Sequence, residues 1–187
     1  MDNDNPWFTG QLLLALPSIG DDRFEQAVIV MVNHDADGAM GVGVGKVMPG
    51  MMVGDVLDQL NIPHQDDLDM PVYHGGPMEP TRGFVLHSMD WGGEGTIQVA
   101  DRWMLSSSHD ILRAIGERRG PSRWLMALGY AGWAGGQLES ELVHHAWHVT
   151  AGSDEILFDT VPERKWNRAF SDSGIDPKLL TANGGQA

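Results

Sequence analysis

The sequence predicts an α/β fold of the mixed α+β kind, one domain whose strands and helices follow neither a plain βα alternation nor an all-β order. Short aliphatic runs bounded by turn formers recur along the chain, as buried strands do. Stretches with apolar residues at helical spacing interrupt them. No Ser/Gly-rich or Pro-rich linker divides the 187 residues, of which 42% are hydrophobic and 20% charged, into two self-sufficient cores.

Leu12 to Leu16 and Ala27 to Val32 read as two buried strands, and Asp35-Ala-Asp-Gly38 supplies the turn that makes a hairpin with a third strand from Met40 to Val47. Gly41, Gly43 and Gly45 share one parity of that strand, so backbone or an aromatic ring must approach its bare face. Val53, Val56, Leu57 and Leu60 mark a short amphipathic helix, closed by Ile62-Pro63. A polar loop over 64–69 leads to strands at about 71–75 and 82–88, with a further one from Thr96 to Val99. A helix begins at Ser107 or Ser108, where Ser107-x-x-Asp110 is a variant capping box, and stops at Gly120-Pro121. Arg123 to Leu128 reads as a strand, followed by a glycine-rich turn and a helix from about Gly136 to His145. Glu155 to Phe158 reads as a strand, and Thr160-x-x-Glu163 as the cap of a last helix carrying Trp166 and Phe170. Residues 1–7 and 181–187 are expected to be flexible.

The net charge of −14 opposes nonspecific contact with phosphate backbones and anionic lipid, so direct nucleic-acid binding is not expected. Arg113, Arg118, Arg119 and Arg123 could still form one basic patch, or complement a helix C-terminus. The absence of cysteine excludes disulfides, thiolate catalysis and cysteine-built metal sites. The acidic start resembles no secretory signal and no apolar run is long enough for a membrane helix, which reads as a cytoplasmic protein with no membrane partner.

Motif searches remove several chemistries. Gly41-x-Gly43-x-Gly45-Lys46 is not a phosphate loop, because Met40 and Val47 stand where glycine and serine or threonine are required. His144 and His148 are one helical turn apart, but His145 replaces a zincin's glutamate and no third ligand is in view. There is no Gly-x-Ser-x-Gly, and helix capping accounts for Ser106 to Ser108. Two glycine-rich elements remain. In Val72-Tyr-His-Gly-Gly-Pro-Met78, Gly75 and Gly76 either free backbone N–H groups for an anion or only supply a tight connection. Gly129-Tyr-Ala-Gly-Trp-Ala-Gly-Gly-Gln-Leu-Glu139 holds more glycine than a turn needs, with Trp133 at its tip and Gln137 and Glu139 in the first turn of a helix.

These two segments, the opening Gly10-Gln-Leu-Leu-Leu-Ala-Leu-Pro17, Phe84-Val-Leu-His87, and Leu157-Phe158 with the later Trp166 resemble the YqgE/AlgH family over about residues 8–175. Gly45 and Val47 depart from the asparagine and proline usual there. The resemblance implies a bifurcated, partly barrel-like mixed sheet surrounded by helices. It carries a label of transcriptional regulator but no established molecular activity, and a label supplies no mechanism.

The leading functional expectation is a binding or regulatory protein with one pocket for a small anionic ligand or a protein partner. Its candidate residues are His74, Gly75, Gly76, Pro77, Arg82, His87, Gly129, Trp133, Gly136, Gln137 and Glu139. The alternatives are a hydrolase or transferase using His74, His87 and Glu139 with Arg82 as anchor, and a regulator binding DNA directly. No cofactor and no metal are expected, so dialysis against EDTA should leave the melting temperature unchanged; a fall would reveal a structural ion.

Overall fold

A computed structural model describes residues 7–182, the last two by backbone alone. The first aliphatic run forms β1 (Gln11–Ala15) and the second β2 (Val28–Asp35), which turns into β3 (Gly38–Gly43). β2 and β3 pair antiparallel from Ile29 with Gly43 to Asp35 with Gly38. β3 ends before the expected Val47, which instead opens β4 (Val47–Met52), and α1 (Val53–Gln59) follows directly. Backbone does approach the glycines of β3: a Cβ on Gly43 would lie 2.5 Å from the His74 carbonyl oxygen. Next come β5 (Pro71–His74), β6 (Met78–His87), β7 (Thr96–Val99) and β8 (Trp103–Ser106), the last of them not foreseen.

α2 (His109–Gly116) starts from Ser108, but no serine side chain caps it. Ser106 instead lies in β8, its hydroxyl bonded to His87 Nε2 at 2.8 Å and to Thr96 Oγ1 at 2.6 Å. The largest correction concerns β9 (Trp124–Ala134), which runs straight through the expected glycine-rich turn. Only Gly135 and Gly136 turn the chain, into α3 (Gln137–Val143). β10 (Trp147–Ala151) was not foreseen, and Glu155–Asp159 is a π-helical turn rather than a strand. α4 (Pro162–Asp172) has Pro162 at its start, a position that tolerates proline, and Thr160 bonds the Glu155 carbonyl at 2.8 Å instead of capping. α5 (Pro177–Ala182) follows. Residues 1–6 and 183–187, within the stretches expected to be flexible, lie outside the described residues, while Trp7 packs edge-on against His34 at 4.9 Å.

All ten strands belong to one sheet, whose main path runs β10-β1-β2-β3-β9-β6-β8-β7. β9 is where it divides. The residues of β9 before Gly129 pair with β6 and, in parallel, with β5, whereas Ala131 to Ala134 pair with β3. β4 joins as a side branch on β5. The two ends of the path curl towards each other: Trp103 Nε1 donates to Asp154 at 2.8 Å, and Arg102 donates to the Gly152 carbonyl at 2.6 Å. The result is a half-barrel of mixed strands with helices around it, the bifurcated plan that the family resemblance implies.

Strand alternation sorts the core. Val28, Val30 and Val32 face the inside of the curl with Leu12, Leu14, Phe84 and Leu86, where Trp166 and Phe170 of α4 close it. Ile29 and Met31 face outward into a second cluster with Trp133, Leu138 and Trp147. Beyond β6 and β9, Val85 and Met126 pack under α1 and α2 against Leu57, Ile111 and Ile115. Burial on both faces explains why β1 and β2 are continuous aliphatic runs rather than alternating ones.

The close approach at the fork is testable. A Cβ on Gly75 would stand 2.1 Å from the Gly129 carbonyl oxygen, whereas one on Gly92 would meet nothing within 4 Å. Gly75→Ala should therefore cost about 3 kcal/mol or more through overpacking against backbone, and Gly92→Ala almost nothing. Urea denaturation midpoints of the two variants would check this; equal midpoints would refute it.

Candidate functional site

Around the fork the chain builds a cleft of about 260 Å³. Val28 and Ile29 of β2, Gly43 of β3, and the loop Gly75 to Pro77 after β5 line it, with Arg23, Lys46 and His74 supplying its polar groups. Glycine shapes this wall. The Gly43 amide donates to the Gly75 carbonyl at 2.7 Å, and the Gly75 amide to the Leu128 carbonyl at 2.8 Å, so the loop lies flat against two strands. Gly76 takes φ +151°, and a Cβ there would be 2.1 Å from the Tyr130 carbonyl carbon. Arg23 is held by Asp21 at 2.7 Å. Lys46 makes no ion pair with any described residue.

The structure brings His74, Gly75, Gly76 and Pro77 to this cleft but not the rest of the candidate set. Gly129, at φ +77°, packs its Cα against the Gly76 and Met78 carbonyls, so the two glycine-rich motifs do meet, as a backbone contact. Trp133 is buried: its Nε1 donates to Glu141 Oε2 at 3.0 Å, and its ring meets Trp147 edge-on at 6.0 Å. Gly136, at φ +77°, precedes α3, and Gln137 accepts from the Ala134 amide and donates to Glu141. Glu139 accepts from His34 Nε2 at 2.9 Å, while His34 Nδ1 accepts from the Phe8 amide at 3.2 Å, which places the ring proton on Nε2. His34 holds the entry of the chain against α3.

Arg82 lies elsewhere, paired with Glu79 at 3.1 Å and stacked over Phe84. It lines a second cavity of about 520 Å³ between α1 and α2. His87 has no exposed surface; burial pulls its pKa down, and Ser106 and the Ser88 carbonyl occupy both ring nitrogens. His87 pairs with Trp124 at the start of β9, and Glu139 follows its far end, Ala134. About 30 Å of strand separates those two points, so His74, His87 and Glu139 do not assemble into one acid–base group. His144 follows the last residue of α3 and His148 lies in β10, so they do not share a helical face. No metal-holding group of three ligands exists among the described residues. Each arginine of the supposed basic patch is paired, Arg113 with Asp110, Arg118 with Asp67, Arg119 with Glu117 and Arg123 with Asp159.

Two polar residues escaped the sequence reading. Glu141 accepts indole N–H groups from both Trp133 and Trp147, at 3.0 and 2.7 Å. Lys165 is fully buried, donating to the Leu157 carbonyl at 2.7 Å and to the Tyr73 hydroxyl at 3.0 Å, with its ammonium 4.2 Å from the Tyr73 ring centre. The available signal was positional: Lys165 shares the buried stripe of α4 with Trp166, Ala169 and Phe170.

A curled half-barrel divided at one long strand, with a small cationic cleft at the fork, defines an α+β domain distinct from the helical DNA-reading folds. The chain belongs to the YqgE/AlgH family: the AlgH-like family profile matches residues 12–178. It is 68% identical, over the whole length of both chains, to a UPF0301 protein of Sphingopyxis alaskensis. The solution structure of the AlgH protein from Pseudomonas aeruginosa superimposes with a TM-score of 0.81 at 35% identity, covering all of both chains. A crystal structure of a protein from Corynebacterium diphtheriae gives 0.76 at 19% identity over 96% of this chain and 94% of that one, a likeness of fold alone. No helix among the described residues is long and apolar enough to cross a membrane.

Burial pulls the Lys165 ammonium from 10.5 down to about 7, and pushes the Tyr73 hydroxyl from 10.0 up to about 12. Between about 7 and 10.5 the unfolded chain therefore holds a lysine proton that the fold does not, so stability rises with pH. Above 10 the unfolded tyrosine alone ionises, and stability falls. Denaturation midpoints should climb from pH 7 to about pH 10 and then drop, and Lys165→Met should flatten the climb. An unchanged slope in that variant would exclude Lys165 as its source.

Proposed function

We propose that the protein is a binding or regulatory protein whose cleft at the fork takes a small anionic ligand. One observation carries this: the cleft's lining includes Arg23, Lys46 and His74 and no carboxylate, in a chain with 26 Asp and Glu. Arg23 is already neutralised by Asp21, so Lys46 is the principal charge. Lys46 itself is exposed, and the wall of Phe24, Ala27 and Val28 beside it offers apolar contact to whatever the charge attracts. The ligand is accordingly a compact anion with some apolar surface. The reading places the protein in the cytoplasm, with any regulatory role exerted through this ligand or a protein partner. Direct reading of DNA is disfavoured by the pairing of all four arginines between residues 113 and 123.

Thermal-shift titration with inorganic phosphate, nucleotides, sugar phosphates and short carboxylates should find at least one anion that raises the melting temperature. Lys46→Gln should weaken that anion about tenfold, the scale of one charge-assisted hydrogen bond, without lowering the melting temperature of the free protein. Retention of full affinity by the variant, or no response to any anion at millimolar concentration, would overturn the reading. Duplex DNA at low salt should produce no saturable binding.

A further inference from the structure

The cleft at the fork is small, and its floor is apolar. Ala27, Val28 and Ile29 are buried beneath it, with Phe24 and Val47 half-buried beside them. Its volume of about 260 Å³ exceeds the roughly 150 Å³ that holds a benzene ring and falls short of the about 300 Å³ at which pockets for drug-sized ligands begin. One ring, or one short branched chain, fits there with a small polar head, and a nucleotide does not.

The glycine loop is not a phosphate cradle. The His74 amide donates to the Lys46 carbonyl and the Gly75 amide to the Leu128 carbonyl, both at 2.8 Å, while Pro77 has no N–H. That leaves Gly76, whereas phosphate loops aim several successive N–H groups at one centre. On the facing strand the amides of Gly43 and Val44 are bonded as well, to the Gly75 and Val28 carbonyls. The charge of a ligand therefore falls to side chains.

Those side chains suit one negative charge. Lys46 is exposed and has no ion-pair partner among the described residues, whereas Arg23 is held by both carboxylate oxygens of Asp21. The segment that gives Arg23, Phe24 and Ala27 to the cleft gives Asp21, Asp22 and Glu25 to a neighbouring hollow. A second negative charge on the ligand would meet those carboxylates.

We propose that the cleft selects a monocarboxylate carried on one ring or one short branched chain, its carboxylate at Lys46 and its apolar body on Ala27, Val28 and Ile29. The inference rests on the reading of this cleft as an anion site and narrows it, setting aside phosphate esters, nucleotides and dicarboxylates.

The test is isothermal titration calorimetry of the full chain and of its Lys46→Gln variant with phenylacetate, acetate, inorganic phosphate and 2-phenylethanol, with ¹⁵N–¹H spectra to locate the site. Phenylacetate should bind saturably and shift the amide signals of Gly45 and Gly76, which line the cleft, but not that of Gly92, which does not. Acetate and phosphate should bind at least about tenfold more weakly, the scale of losing the apolar body. The neutral 2-phenylethanol should also bind about tenfold more weakly, the scale of one charge-assisted hydrogen bond. In Lys46→Gln, phenylacetate should lose that same factor while 2-phenylethanol keeps its affinity, a coupling that a general loss of structure does not produce. Phosphate binding as tightly as phenylacetate, and weakening in Lys46→Gln, would overturn the carboxylate and leave the anion site standing. Equal losses of phenylacetate and 2-phenylethanol in the variant would also overturn the proposal. No binding of phenylacetate would overturn it too, and silence from every anion would remove the anion site with it.

Discussion

The contact of Gly75 and Gly76 with Gly129 and Tyr130 is the constraint on which the fold rests. Three strands, β3, β5 and β6, use β9 as a partner, and they converge where β9 passes Gly129. The chain fits only because no side chain stands between the backbones, with a Cβ on Gly75 or Gly76 placed 2.1 Å from a neighbouring peptide group. Such a distance leaves no rotamer to relieve it, so the surroundings cannot yield as they would around a flexible side chain. The cleft at the fork follows from the same contact, since the loop that lies flat on β9 turns its other side to β2 and β3.

Around that point the core is stabilised by apolar packing on both faces of the sheet, and a few polar anchors fix how the outer elements sit. Glu141 gathers two indoles and Gln137, tying α3 to β9 and β10. Lys165 ties α4 to β5 and to the π-helical turn. A buried amine whose burial drives off its proton near pH 7 still carries polar N–H groups, and the Leu157 carbonyl and Tyr73 hydroxyl give them partners. Hydrophobic burial alone does not fix the register of a helix on a sheet, whereas a buried polar group that must find hydrogen-bond partners has few acceptable positions.

The sequence was informative where one physical signal had one meaning. Leu12 to Leu16, Val53 to Leu60 and the stretch before Gly120-Pro121 yielded β1, α1 and α2 because their periodicity and stops agree. It misled where a signal had two meanings. Glycine density from Gly129 to Gly136 looked like a turn, but glycine also marks close approach of backbones, and that meaning governs Gly129 and Gly135, where a Cβ would lie 2.4 Å from the Gly76 carbonyl oxygen and 2.6 Å from that of Ala36. Glu155 to Phe158 is too short for periodicity to separate a strand from a helical turn. Of the candidate site, the loop from His74 to Pro77 was legible, while Arg23 and Lys46 reach the cleft only through tertiary folding. Trp133 and Gln137 were noticed for the right density of chemistry, but their partner Glu141 was invisible because no local pattern pairs a helix carboxylate with two distant indoles.

β4 is a partition. Lys46 and Val47, at its start, face the cleft at the fork, whereas Met48 and Met51 face the larger cavity. Gly50, at φ +70°, resets the alternation so that Met51 rejoins Met48 on one side. One short strand thus serves as a wall to two rooms, and a change in the size of a side chain on it enlarges or narrows one room while leaving the other as it was. Members of a lineage that share this strand are free to alter either room by single substitutions, without renegotiating the fork that holds the sheet together.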